Sequence, residues 1–212
     1  MNDDIDMAAL CRLTWNRLQQ RRLLGGPDAS LSLRSPDGRT MWFAAAGTAP
    51  VAMPWPETKL QSPSAGLHAL VYRTRRDAGG VMIGGGVFGC RMRDFGGQLP
   101  GVFDEQVRHV GRMGRPVSGL EDLPAALAGG GNAAIVRGQV LCIGTTAARL
   151  SMNAELFEKC AKAYVLAMAT GGRVKPLPWI VRHVANRRLM KDERRAAERF
   201  ARGLLPEETK GY

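Results

Sequence analysis

Histidine is scarce in this chain of 212 residues, in which only His68, His109 and His183 occur. No two of them stand at the short spacing of a local metal-binding pair, so the sequence displays no local set of metal ligands. Folding could still bring His68 and His109 together, which leaves a relocated metal site as an alternative. A single helical histidine is more often a structural hydrogen-bonding residue, and we favour that interpretation for both.

Long apolar runs are also missing. No stretch of about 18 apolar residues occurs, so no membrane span is predicted. The first ten residues, MNDDIDMAAL, are acidic and lack a basic region before an apolar core, which argues against a secretory signal. The four cysteines are widely scattered without a Cys-x-x-Cys pair, as is typical of reduced, mostly buried thiols. We therefore expect a cytoplasmic protein.

Glycine, in contrast, is plentiful: the chain has 26 glycines beside 45% hydrophobic residues. That composition suits a loop-rich α/β domain large enough to bury a core. The spacing of apolar residues predicts strands near 29–34, 40–46, 80–88, 133–137 and 140–144. It predicts helices near 6–24, 63–75, 103–112, 151–170 and 178–202.

Positive charge is concentrated towards the C-terminus of a chain whose net charge is +11. Residues 173–202 contain ten Lys or Arg against three acidic residues. Pro176 and Pro178 separate the basic segment from the helix predicted before it, because proline interrupts a helix. We therefore divide the chain into a domain at 1–175 and a basic helical extension at 176–212 that packs on the same domain.

The apolar residues of this extension recur at helical spacing and predict a face that docks on the body or on a partner subunit. They are Trp179, Ile180, Val184, Leu189, Ala196 and Phe200. The cations would then form the solvated face. Nucleic-acid binding is the more specific alternative for this segment, because basic faces attract phosphate backbones. The segment lacks aromatic platforms and any known DNA-reading motif, so we expect neither a nucleic acid nor a membrane as partner.

The stretch at 63–90 carries the most informative pattern: a helix, a turn, and an apolar strand that enters three glycines at 84–86. This layout resembles the class II aldolase/adducin family, which includes fuculose-phosphate aldolases, ribulose-phosphate 4-epimerase and the adducin head. In that family the strand ends in a His-x-His pair that binds zinc or a related divalent metal. Here those two positions fall on Ile83 and Gly85.

The resemblance continues on both sides of this stretch. Residues 30–34 (SLSLR) follow the family's Gly-Asn-x-Ser-x-Arg strand, with Ser30 at the Asn position. Residues 132–146 resemble a strand pair in which the family's third metal-binding His falls on Gln139, and a long helix comes next. The likeness spans roughly residues 5–172. It implies an α/β fold of three layers, αβα, around a central, mostly antiparallel sheet.

The resemblance also assigns roles to particular positions. The family's general acid/base Glu falls on Ser64, whose hydroxyl is a poor proton acceptor near neutral pH. A cation needs several His, Cys or carboxylate ligands, and Ile83, Gly85 and Gln139 do not supply them. We therefore expect no metal and no other cofactor. The catalytic candidates are His68, on the helix that borders the family's cleft, with Ser64 and Gln139.

Sugar-phosphate aldolases of this fold bind phosphate near the same corner. The resemblance therefore implies candidate ligand-binding residues at Ser30, Ser32, Gly47, Ser62, Gly84 and Gly85. Ordinary turn and cap serines are the plainer interpretation. The glycine run either leaves a void for a ligand or makes room for a neighbouring side chain. Gly84, Gly86 and Gly89 also match G-x-G-x-x-G, but the sequence after them predicts no good helix, which argues against a dinucleotide site.

Three functions remain open from the sequence. The first is a class II aldolase-like protein without the metal site and without aldolase activity, which serves as a small-ligand-binding or assembly module. The second is an altered metal-independent lyase or decarboxylase that acts on a small hydroxy- or keto-acid or a sugar phosphate. The third is nucleic-acid binding through 173–202. Members of the family commonly form tetramers, so we expect a homo-oligomer, and the phosphate corner favours an anionic small molecule as ligand.

Overall fold

The computed structural model describes residues 6–56 and 62–208, which form a six-stranded sheet covered by helices. The strands are β1 Ser30–Arg34, β2 Thr40–Ala45, β3 Val51–Pro54, β4 Gly80–Gly84, β5 Ala133–Val136 and β6 Gln139–Gly144. The helices are α1 Met7–Gln20, α2 Pro63–Thr74, α3 Val87–Arg91, α4 Asp104–His109, α5 Leu123–Leu127, α6 Ala147–Ala169 and α7 Trp179–Ala201. Within the described ranges, no helix is both long enough and apolar enough to cross a bilayer.

The sheet is antiparallel between all of its paired strands. Its order is β3-β2-β1-β4-β6-β5, which puts β1 and β4 at the centre. Ser30 of β1 pairs with Ala45 on one side and with Ile83 of β4 on the other. Ile83 pairs in turn with Leu141 of β6. The end of β4 and the start of β6 therefore lie next to each other in the sheet.

Each face of the sheet buries its own core, because successive side chains of a strand point to opposite faces. On one face Leu31 and Met82 are buried in the cluster that includes Leu18 of α1 and Phe157 of α6. The other face buries a second cluster with residues of α2 and α5 against Ile83. Helices thus lie on both sides of the sheet, and the predicted three-layer αβα architecture is confirmed.

Local signals explain where two of the helices begin. Asp6 caps α1, since its carboxylate accepts a hydrogen bond of 2.9 Å from the backbone N–H of Ala9. Thr146 caps α6 in the same way through the N–H of Arg149, at 3.0 Å. The predicted start of α6 at residue 151 is therefore four residues too late. The apolar spacing used for that prediction begins only after the cap.

Three elements, β3, α3 and α5, were not predicted, and one strand was predicted too long. The strand β3 at Val51–Pro54 is an edge strand with mostly accessible side chains, so it lacks the apolar alternation of a half-buried strand. The short helix α5 at Leu123–Leu127 has a single turn. The strand predicted at 80–88 ends at Gly84, and α3 starts at Val87.

Candidate functional site

The three glycines at the end of β4 form a tightly packed corner. Both backbone polar groups of Gly85 bond to the segment after α1: its N–H donates to Leu23 O at 2.8 Å, and its carbonyl accepts from Gly25 N–H at 3.0 Å. The backbone of Gly85 has φ +120, a region that residues with a side chain rarely adopt. Segment 23–25 therefore lies directly on the backbone of the glycine run.

Side chains close the rest of this corner. A Cβ added at Gly85 would lie 2.6 Å from Val140 Cγ2 and 3.0 Å from Cys90 Sγ. A Cβ added at Gly86 would lie 2.6 Å from Glu158 Oε2. Of the two alternatives left by the sequence, the structure shows the second: neighbouring atoms fill the space beside these glycines.

Glu158 fixes the geometry of the corner from α6. Its carboxylate accepts hydrogen bonds of 2.8 Å from the backbone N–H groups of Phe88 and Gly89, at the beginning of α3. Two of the backbone donors that a helix start leaves without an intrahelical partner are satisfied in this way. The sequence predicted no good helix after the glycines, and α3, whose first residues this carboxylate bonds, has only five residues.

His68 lies at the centre of a buried polar chain between α2 and β1. Its Nδ1 is 2.7 Å from Ser32 Oγ, and its Nε2 is 3.0 Å from Ser30 Oγ. Ser30 Oγ donates its own proton to Asp28 O at 2.9 Å, so it accepts from His68 Nε2–H. Nδ1 then accepts from Ser32, whose oxygen lies 2.8 Å from the Tyr72 hydroxyl. Every group in the chain is satisfied with His68 neutral.

The surroundings of His68 keep it in that neutral form. Its exposed fraction is 0%, and the ring of Phe43 meets it edge-on at 5.3 Å between centroids. Burial lowers the pKa of His68 to about 3, because an apolar site disfavours the charged imidazolium. The same chain buries Ser30 and Ser32 at 0% exposure. These three predicted site residues do come together, but inside the core.

Gln139 lies at the other side of the glycine corner. Its Nε2 donates to Asp28 Oδ2 at 3.0 Å. Its Oε1 is shielded from solvent, and no hydrogen bond from the described residues reaches it. A Cβ added at Gly26 would lie 3.1 Å from that oxygen, so the loop before β1 packs over the amide. Gln139 thus closes the corner from the strand β6.

The remaining predicted residues lie at turns and helix ends. Ser62 precedes α2 and is its N-cap by position, but its side chain makes no capping hydrogen bond. Ser64 is half-buried in the first turn of α2. Gly47 is exposed in the turn after β2, with φ +76. Within the described ranges, no hydrogen bond joins Ser62, Ser64 or Gly47 to His68 or Gln139, so a catalytic or ligand-binding role for these residues stays a prediction.

The divalent metal that the resemblance implies does not fit the residues at its three positions. Ile83 is a core residue with 3% exposure, and Gly85 has no side chain. Gln139 offers one amide, which already bonds Asp28. In residues 6–56 and 62–208, no three or more His, Cys, Asp or Glu side chains gather into a group that could hold a metal ion.

The two histidines considered as a relocated pair have separate environments. His109, at the end of α4, has its Nδ1 2.8 Å from Arg149 Nη1. Burial and the nearby arginines lower the pKa of His109 to about 4. Among residues 6–56 and 62–208, the ring of His68 hydrogen-bonds only to the two serines of β1. Cys90, which follows the glycine run, is the half-buried cysteine nearest to the glycine corner. Burial raises the pKa of its thiol, so little of the reactive thiolate forms near neutral pH.

The second half of α7 is anchored on the body of the protein. Arg108 Nη2 lies 2.6 Å from Asp192 Oδ2. The guanidinium of Arg34 stacks over the ring of Phe200 at 4.3 Å. Leu189, Ala196 and Phe200 are buried. The extension predicted at 176–212 therefore contacts the domain through this half of its helix.

The first half of α7 behaves differently. Trp179, Ile180 and Val184, which were predicted to dock, have exposed fractions of 69%, 51% and 45%. Within the described residues no element covers them. The predicted apolar face thus splits into a docked half and an accessible half.

A buried charge cluster holds α7 against the loop after α2. Arg75 bonds Asp77 through two nitrogens, at 2.8 and 2.7 Å, and its Nη2 lies 2.8 Å from Glu193 Oε1. Arg75 also donates to Gly131 O and to Asn132 Oδ1. One guanidinium therefore faces two carboxylates in a buried site. Burial raises the pKa of Glu193 to about 7, and Arg75 offsets only part of that effect.

The raised pKa of Glu193 predicts a pH-dependent stability. The folded protein binds more protons than the unfolded chain between about pH 4.5 and 7, so this group lowers the free energy of unfolding as pH rises through that window. Because burial disfavours the ionised carboxylate, we expect the neutral Glu193→Gln to raise the free energy of unfolding by about 1 kcal/mol at pH 8 and to change it little at pH 5. Urea titrations at both pH values measure this. The exposed Glu198→Gln on the same helix is the control, and equal effects of the two substitutions would contradict the prediction.

Comparisons with known proteins find similarity in fold but none in sequence families. No protein-family model matches the chain, and no curated protein matches it. Solved structures do match. An L-fuculose 1-phosphate aldolase superposes with a TM-score of 0.70 at 17% identity, over 90% of this chain and 98% of that one. An aldolase II superfamily protein from Pseudomonas syringae gives 0.67 at 14% identity, over 98% and 97% of the two chains.

A third structure agrees. The L-fuculose 1-phosphate aldolase from Glaciozyma antarctica superposes with a TM-score of 0.68 at 15% identity, over 93% of this chain and 86% of that one. The chain has the class II aldolase fold. The class II aldolase-like architecture predicted from residues 5–172 is thereby confirmed, and the likeness extends over nearly the whole length of the matched chains.

The sequence interpretation missed two carboxylates that form buried or helix-capping contacts, Glu158 and Glu193. Glu158 stood unremarked in the long helix, and Glu193 was counted only as one of three acids in a basic segment. The usable signal for Glu158 was its helical spacing from Ala154 and Ala161, which are both buried residues of α6. Glu193 follows Leu189 by one helical turn, so it shares the buried face of α7.

Proposed function

We propose that this protein is a class II aldolase-like protein that works without the family's metal and without aldolase activity, as a small-ligand-binding module. The packed corner at Gly85 carries the proposal. The Cβ of a metal-binding histidine at that position would overlap Val140 and Cys90, and two hydrogen bonds to segment 23–25 hold the backbone of Gly85 in place. Ser64 occupies the position of the family's general base, and its hydroxyl cannot take up a proton near neutral pH.

The enclosure of His68 supports the same proposal over an altered lyase. A general base must come within hydrogen-bond reach of the proton that it removes. Both ring nitrogens of His68 are already bonded to serine hydroxyls, and the side chain has no exposed surface. In this proposal His68, Ser30 and Ser32 stabilise the core, and ligand binding uses another part of the surface.

Elemental analysis of the extensively dialysed protein tests the proposal, together with cleavage assays on L-fuculose 1-phosphate. We expect less than about 0.1 transition metal per chain and no cleavage above the blank after added zinc, because one neutral amide holds a metal weakly. An L-fuculose 1-phosphate aldolase run in parallel shows that the assay works. About one metal per chain, or zinc-dependent turnover, would overturn the proposal.

Assembly into a homo-oligomer is part of the same proposal, with a tetramer favoured by the resemblance. Light scattering coupled to size-exclusion chromatography measures it directly. A tetramer would have a mass four times the 23.0 kDa of the chain. A monomer at all concentrations would remove the assembly role and leave only ligand binding.

A further inference from the structure

A groove of about 610 Å³ lies between the start of α7 and the loop that precedes α4. Its size falls within the range of small-molecule sites, which measure roughly 300–1,000 Å³. Its lining contains none of the predicted site residues. The groove is therefore a separate feature from the closed corner at the end of β4.

One wall of the groove is apolar and aromatic. Leu99, Val107 and Met113 line this wall, and all three are largely buried in the core. Tyr164 of α6 and Trp179 of α7 also line it. Aromatic and aliphatic surface of this kind contacts the apolar body of a ligand.

The polar lining of the groove is positively charged. Arg112 and Arg182 both line it, and none of its lining residues is Asp or Glu. Arg182 Nε donates to Leu177 O at 3.0 Å, which fixes the direction of the guanidinium. A pre-oriented guanidinium binds carboxylate and phosphate oxygens through parallel hydrogen bonds. The charge of the lining therefore selects an anion.

Two further features face the same groove. Asn186 also lines the groove, and its side-chain amide adds a neutral group able to hydrogen-bond a hydroxyl of the ligand. The first turn of α7 adjoins the groove, and no side chain caps that helix end. Its N–H groups and the positive end of the helix dipole add to the preference for negative charge.

We propose that this groove binds a small organic anion, namely a carboxylate or phosphate carried on an apolar ring or chain. Arg182 and Arg112 bind the anionic group, and Trp179, Tyr164 and Met113 contact the apolar body. The inference rests on the proposed ligand-binding role and gives it a location and a class of ligand.

Calorimetric titration of the full-length protein tests the inference with three related probes. They are 1-naphthyl phosphate, 1-naphthoate and uncharged 1-naphthol. We expect one site per chain for at least one anion and about tenfold weaker binding of 1-naphthol, since a charge-assisted hydrogen bond contributes more than the tenfold step in affinity. The stronger of the two anions identifies the group that the arginines recognise.

Substitutions locate the site. Arg182→Gln and Arg112→Gln should each weaken the better anion about tenfold and leave 1-naphthol unchanged. Arg187→Gln is the matched control, because Arg187 is an exposed cation of the same helix outside the groove. Equal binding of all three probes, or full affinity in Arg182→Gln, would overturn the inference. A third outcome would also overturn it: the protein is a dimer, the dimer binds no probe, and Trp179→Ala dissociates it. In that case a second copy of the chain occupies the groove.

The two proposals fail separately. Absence of probe binding in a protein that also lacks metal removes only the groove as the ligand site. One metal per chain in a protein that still binds 1-naphthyl phosphate at Arg182 removes only the metal-free function.

Discussion

Replacing His68 with alanine is expected to lower the free energy of unfolding by about 3–5 kcal/mol. The substitution would empty a volume that is fully enclosed, and it would remove the bonding partner of Ser30 and of Ser32 in a site with no access to water. Both a cavity and unsatisfied buried hydroxyls destabilise a fold. Urea unfolding followed by circular dichroism at pH 7 measures the loss.

Two comparison variants separate this effect from a general sensitivity to mutation. His183→Ala removes an exposed histidine and should change the free energy of unfolding by less than about 0.5 kcal/mol. Tyr72→Phe removes only the hydroxyl at the far end of the chain of hydrogen bonds and should cost about 1–2 kcal/mol. A His68→Ala protein as stable as the His183→Ala protein would show that the polar chain does not hold the core together.

The same histidine should make the protein sensitive to acid. The unfolded chain takes up a proton at His68 near its ordinary pKa of 6.5, whereas the folded protein does so only near 3. The unfolded chain thus binds more protons between those values, so the stability due to neutral His68 is complete above about pH 6.5 and is lost as pH falls towards 3. Glu193 acts in the opposite direction between about pH 4.5 and 7. The acid sensitivity should therefore be seen most clearly in Glu193→Gln.

The sequence predicts the sheet well where local patterns and spacing carry the information. β1, β2, β4 and β6 are strands with buried apolar residues at regular positions, and turns rich in glycine bound them. β3 escapes the same reasoning because an accessible edge strand needs no apolar alternation. The order of the strands came from the resemblance and not from the pattern, since pairing depends on contacts between distant parts of the chain.

The candidate site shows where prediction from sequence ends. The resemblance located the glycine corner and the serines of β1, but it could not say that Glu158, about 70 residues further along, would bond the start of α3. Nor could it say that Ser30 and Ser32 would turn their hydroxyls to His68. Both outcomes depend on how α6 and α2 pack on opposite faces of the sheet. Side-chain partners across layers leave no regular spacing in a sequence.

Gly85→Ala is expected to be among the most damaging single substitutions in the protein, with a loss of about 3–5 kcal/mol in the free energy of unfolding. The added Cβ would lie 2.6 Å from Val140 Cγ2 and 3.0 Å from Cys90 Sγ, and the backbone at φ +120 is unfavourable for alanine. Val140 cannot retreat easily, because it is 1% exposed within the core of β6. A fall in the urea midpoint, or loss of soluble protein, measures the effect.

Gly47→Ala separates the backbone cost from the packing cost. Gly47 also has positive φ, at +76, but no heavy atom lies within 4 Å of an added Cβ. Its replacement should cost only about 1 kcal/mol. If Gly85→Ala costs no more than Gly47→Ala, the corner has free space, and a histidine there could be accommodated. If it costs several times more, the corner is closed by packing. A histidine introduced at Gly85 should then unfold the protein before its imidazole could bind a metal.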